Sequence, residues 1–106
     1  MPNTNASAAE IKFIEQTIEK AFGVPGVWEG SEVVHETWEG KTMWIGEVHI
    51  VAVQHPEASR AYAWFYEDDA GKRRIKTVLG VPPVDSPTMA VRATVVAETP
   101  NPSRTA

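Results

Sequence analysis

Ser7-Ala8-Ala9-Glu10 marks where a helix starts, and Gly23 followed by Pro25 marks where it must stop. At the start, the Ser7 hydroxyl can accept from the Glu10 amide while the Glu10 carboxylate reaches back to the Ser7 amide, which satisfies two otherwise orphaned donors. At the end, Gly23 can take the left-handed conformation that closes helices, and Pro25 blocks any continuation. Between these signals Ile11, Ile14, Ile18, Ala21 and Phe22 fall on one stripe, with Lys12, Glu15, Gln16 and Glu19 opposite. Such a helix is stable only if its apolar stripe is buried, so the rest of the chain has to supply a matching surface.

That surface reads as a sheet, because beyond the Gly/Pro segment the hydrophobic period drops to two. Residues 32–38 (EVVHETW) and 42–54 (TMWIGEVHIVAVQ) predict two strands joined at Glu39-Gly40-Lys41. The stretch His55-Pro56-Glu57-Ala58-Ser59 interrupts the pattern, since proline cannot donate to a ladder. Residues 60–67 and 73–79 predict a second pair, connected through Asp68-Asp69-Ala70-Gly71-Lys72. After that, Ser86-Pro87 pairs an N-cap with proline at the first helical position and favours a helix from 87 to 97. The alternation of Met89, Val91, Ala93, Val95 and Ala97 leaves a fifth strand as the alternative. The expected fold class is therefore α+β: an N-terminal amphipathic helix, a four-stranded antiparallel meander, and a short C-terminal helix or fifth strand. One domain over 7–97 is expected, with disordered ends at 1–6 and 98–106. In layout alone this resembles cystatin-like and small cone-shaped ligand-binding folds. No motif accompanies the likeness, and layout does not transmit function.

The second hairpin can be given a register. A type I turn at Asp69-Ala70 followed by Gly71 as the bulge residue places Asp68 opposite Lys72. Phe65 then faces Ile75 and Ala61 faces Leu79, while on the other side Tyr66 meets Arg74, Trp64 meets Lys76 and Tyr62 meets Val78. One face is aliphatic with small alanines, suited to a helix packing closely. The other is aromatic and bordered by cations. In the long strand 42–54 the even positions (Trp44, Gly46, Val48, Ile50, Ala52) carry no ionisable group. If they join the core, Glu47 and His49 share a face with Tyr62, Trp64 and Tyr66. Both faces of the sheet are then too apolar to stand in water. One helix covers one face; the C-terminal segment, a second copy of the chain or a ligand must cover the other.

Composition removes several function classes. The chain has 106 residues, 42% of them hydrophobic and 23% charged, enough for a single core. With no cysteine there can be no disulfide and no thiolate metal site. The N-terminus lacks the basic and apolar regions of a signal peptide, and no apolar run approaches the roughly 18 residues of a membrane span. A soluble, cytoplasmic protein is expected. A net charge of −4 gives no overall pull toward nucleic acid. The charge is unevenly placed, however. Four glutamates (Glu29, Glu32, Glu36, Glu39) and no lysine or arginine lie between Trp28 and Gly40, and four cations stand in the five positions from Lys72 to Lys76.

The candidate ligand or interface residues are Tyr62, Trp64, Tyr66, Arg74 and Lys76, which could stack and hold a small aromatic or anionic ligand or form the contact of a homodimer. Non-catalytic binding or protein interaction through this aromatic face is the expected function. The alternative is a small enzyme with a pocket on the same face, using His49 or Glu47 as general base and Tyr62 or Tyr66 as donor. His35, His49 and His55 have no ligand spacing, so no metal is expected, and no motif calls for a cofactor. No glycine-rich phosphate loop or nucleophile elbow occurs.

Overall fold

In the computed structural model, residues 6–96 are described. The order is helix α1 (Ala8–Phe22), strands β1 (Gly26–Trp38), β2 (Lys41–His55), β3 (Ala58–Glu67) and β4 (Arg73–Leu79), then helix α2 (Pro87–Val91), which continues into a π-helical turn over Arg92–Val96. The four strands form one antiparallel sheet in the order β1-β2-β3-β4. The expected architecture is the one observed, with the helical alternative realised at the C-terminus. The expectations for residues 1–5 and for the tail 98–106 lie outside the described residues.

The local signals act as their chemistry requires. Ser7 Oγ accepts from the Glu10 amide at 3.1 Å, and Glu10 accepts from the Ser7 amide. Gly23 closes α1 with φ of 74°. Ser86 caps α2 by accepting from the Met89 amide, with Pro87 in the first turn. The β3–β4 ladder runs in the register deduced from its turn, from Glu67↔Arg73 to Ala61↔Leu79. Its loop is held by the Asp68 amide donating to the Lys72 carbonyl and by Asp68 Oδ1 accepting from the Ala70 and Lys72 amides.

Two stretches depart from the sequence reading. Strand β1 begins six residues earlier than the pattern predicted, because Gly26 and Gly30 are strand residues with a purpose. A Cβ on Gly26 would stand 2.6 Å from Val51 Cγ1 and 3.1 Å from Ile18 Cγ2, so only glycine lets α1 and β2 approach there. Gly30 follows a bulge at Glu29. The second departure is at His55–Ser59, which is a tight turn rather than a break: His55 pairs with Ala58, and His55 Nδ1 accepts from the Glu57 amide.

The faces are decided by the tight turn together with a one-residue register shift between Ala52 and His55. With His49 opposite Ala63 and Val51 opposite Ala61, the odd positions of β2 share a side with the alanines of β3. That side packs under α1, where Ile14 and Ile18 bury against Val51, Val53, Ala61 and Ala63. The even positions Val48 and Ile50 instead join Tyr62, Trp64 and Val34 beneath Ala90 and Val91. The expectation that the even set faces α1, with Glu47 and His49 beside the aromatics, is therefore corrected. Both faces are covered by the chain itself, so the absence of ionisable groups no longer marks the helix side.

Candidate functional site

The five residues expected at an aromatic binding surface separate into two environments. Tyr62 and Trp64 are 2% and 1% exposed, sealed by Ala90, Val91 and Val84 of the C-terminal segment. Trp44 meets Trp64 edge-on at 5.7 Å and extends this cluster. Burial raises the Tyr62 hydroxyl pKa above its ordinary value. Tyr66 and Arg74 lie at the open end of the β3–β4 hairpin, where Tyr66 is exposed and Arg74 donates to Asp68 Oδ2 at 2.9 Å. Lys76 stands across from Trp64 in the ladder, partly exposed. The aromatic face is thus closed at its centre and open only at one end.

Glu47 and His49 lie on the α1 side, away from Trp64. His49 is buried between Trp28 and Phe65, with the ring of Phe65 edge-on at 6.1 Å. The Trp28 indole donates to His49 Nδ1 at 3.1 Å. Because an indole nitrogen can only donate, Nδ1 must be the unprotonated acceptor, and the neutral ring carries its proton on Nε2. That nitrogen is turned to Glu47, with Nε2 and Oε1 3.6 Å apart. Glu47 in turn accepts from the Ser31 hydroxyl at 2.8 Å. Trp28 is itself fixed, its amide donating to Glu15 of α1 at 2.8 Å. Burial holds His49 below the usual histidine pKa of 6.5, and Arg73 adds to that, while Glu47 and Glu10 pull the other way.

This chain of bonds matters for chemistry. A general base needs a free lone pair on a ring nitrogen. At His49 the only lone pair is already taken by Trp28, and Nε2 holds a proton. The pairing of His49 or Glu47 with Tyr62 or Tyr66 as an acid–base site is ruled out by position, since the sheet lies between them.

An open concavity among the described residues lies elsewhere. Between the N-terminal half of α1 and β4 runs a groove of about 610 Å³ lined by Ala9, Glu10, Phe13, Phe65, Arg73, Arg74 and Ile75. Phe13 stacks on Phe65 with centroids 6.2 Å apart and planes 18° from parallel, yet Phe13 is 49% exposed. The Arg73 guanidinium lies 3.9 Å over the Phe65 ring and donates to Glu10 at 2.7 Å. That bond is the main reason the Glu10 carboxyl titrates below the ordinary range. Sequence reasoning reached Arg74 but missed the rest. Phe13 sits one position off the buried stripe, and only that placement hinted that its ring serves something other than the core.

His35 bonds across the β1–β2 hairpin to the Thr42 hydroxyl, and His55 accepts from the Glu57 amide. Among the described residues no three His, Cys, Asp or Glu side chains gather as a metal would need, and no helix is long and apolar enough to cross a membrane. Comparison of the chain with protein-family models, curated proteins and solved structures finds no match.

Proposed function

We propose that this chain is a non-catalytic binding domain whose recognition surface is the groove between α1 and β4. The observation that carries the reading is the half-exposed Phe13 ring, stacked on Phe65 beside the Arg73 guanidinium. An aromatic left half in water at the mouth of a concavity offers flat apolar area, and the adjacent guanidinium plane adds a cationic, stackable one. The matching ligand is small, planar and anionic. An anion would compete with Glu10 for Arg73, so affinity depends on how readily that exposed ion pair yields. The non-catalytic part of the proposal rests on His49, whose ring nitrogens are both committed within the fold.

Anilinonaphthalene sulfonate, a planar aromatic anion, tests this by fluorescence titration. Saturable binding of one probe per chain is expected. Phe13→Ala should weaken it by roughly tenfold, equivalent to about 1.4 kcal/mol, with the circular dichroism spectrum unchanged. Binding that does not saturate, or that neither Phe13→Ala nor Arg73→Gln alters, overturns the groove reading.

A further inference from the structure

The acidic and basic runs of the sequence end up on opposite margins of the sheet. β1 and β4 are its two edge strands. The glutamates Glu29, Glu32 and Glu36 stand on β1 with Glu39 in its turn, while Arg73, Arg74 and Lys76 stand on β4 with Lys72 just before it. Charged side chains on an edge ordinarily prevent strands of separate molecules from pairing. Here that protection is one-sided. Pairing β1 with β1 of another copy sets glutamate against glutamate, and pairing β4 with β4 sets cation against cation. Pairing β1 with β4 sets opposite charges together.

Strand parity allows the same join. In an antiparallel meander of four strands, β1 and β4 run in opposite directions. Placing a second copy beside the first by simple translation therefore makes β1 antiparallel to the neighbouring β4. It also keeps both α1 helices on one side. Neighbouring helices would be spaced by four strands, about 19 Å, against a helix diameter of about 10 Å, so they do not collide.

Lengths and register agree. Between its two irregularities β1 has an unbroken stretch from Gly30 to Glu36, and β4 spans Arg73–Leu79, so each offers seven residues. Glu32 and Glu36 are four residues apart, as are Lys72 and Lys76. The antiparallel register that sets Glu32 opposite Lys76 also sets Val33 opposite Ile75, and it brings Glu36, which already accepts from Arg92 of its own chain, opposite Lys72. Val33 is 69% exposed, and Ile75 packs on the α1 side of the sheet, the side to which Val33 also points. The register that matches the charges therefore also matches an uncovered apolar residue with an apolar neighbour on the correct face.

We infer that copies of this chain associate head to tail, β1 of one pairing with β4 of the next to continue the sheet. A contact between two different surfaces closes into a ring or grows as a fibre, but does not stop at a symmetric dimer. The inference does not rest on ligand binding at the groove, although Arg73, Arg74 and Ile75 of β4 line both, and it is read by mass rather than by probe fluorescence.

The test is light scattering on the full chain over a range of concentrations, with Glu32→Lys and Lys76→Glu measured alone and mixed. The wild type should show a mass above that of one chain, rising with concentration and falling as salt is raised toward about 1 M, where charges are screened beyond about 3 Å. Each single variant should fall to the mass of one chain while keeping the wild-type thermal midpoint within about 5 °C. An equimolar mixture should recover the assembly, because each reversed edge then meets a complementary partner. A wild type that stays monomeric at millimolar concentration overturns the inference. So do single variants that assemble like the wild type, and a mixture that fails to recover.

Discussion

The two faces of this sheet are closed by opposite combinations of size. Under α1 the strands present Ala61, Ala63, Val51 and Val53, and a long helix with Ile14 and Ile18 fills the space above them. Under the C-terminal segment the strands themselves present the bulk, with Tyr62, Trp64, Trp44 and Val48, and helix α2 contributes the small buried side chains of Pro87, Ala90 and Val91. Close packing requires that the volumes meeting at an interface sum to the gap, and either side can supply them. A fifteen-residue helix with its own capping box can bring large side chains to small strand residues. A five-residue helix can bring little, so the sheet must be large there.

The sharpest way to break this comparison is to remove bulk where the cover cannot replace it. Trp64→Ala should cost about 3–5 kcal/mol in urea unfolding, the usual range for an aromatic lost from a core. A loss below about 2 kcal/mol would mean that the C-terminal segment packs loosely and that the two faces are not equivalent seals. On the α1 side the complementary experiment adds bulk. Gly26→Ala places a Cβ within 2.6 Å of Val51 Cγ1 and should destabilise by about 1–3 kcal/mol. Combining it with Val51→Ala should cost less than the sum of the two single changes, and strict additivity would show that the close approach at Gly26 is not what limits the packing.

The smallest effect separates the faces by titration. Only the α1 side buries a histidine ring among the described residues. Because burial lowers the His49 pKa, the unfolded chain binds its proton more readily than the folded one. Its contribution to stability is therefore complete above pH 6.5 and declines as pH falls through and below that value. Thermal midpoints measured from pH 7 down to about 5, above the range where carboxylates such as Glu10 and Asp68 take up protons, should fall in the wild type. The same scan on His49→Gln should be flatter. Equal slopes in the two proteins would mean that the Trp28–His49 bond does not distinguish protonation states.

Much of the architecture was legible residue by residue. Ser7, Glu10 and Gly23 specify α1 through hydrogen bonds within four residues of chain, and Asp68 with Gly71 specifies the second hairpin in the same local way. The candidate site was less legible. Arg74 was reached through its register, but Phe13, Phe65 and Arg73 come together from three separate elements, and nothing local in any of them announces the others. The start of β1 was hidden for a related reason: Gly26 reads as loop until Ile18 and Val51 are seen pressing on it.

What the sequence determined by itself is whatever depends on nearest neighbours: helix limits, turn types, the alternation of strands and the register across a short loop. What only the tertiary structure decided is which face each residue of β2 meets. The tight turn at His55–Ala58 and the one-residue register shift between Ala52 and His55 set that choice together, and because side chains alternate with a period of two, that single shift exchanges every partner along β2. His49 is the clearest consequence. In sequence it is a titratable residue in a strand, and in the fold it is a buried part of the core that accepts a hydrogen bond from Trp28, 21 residues away.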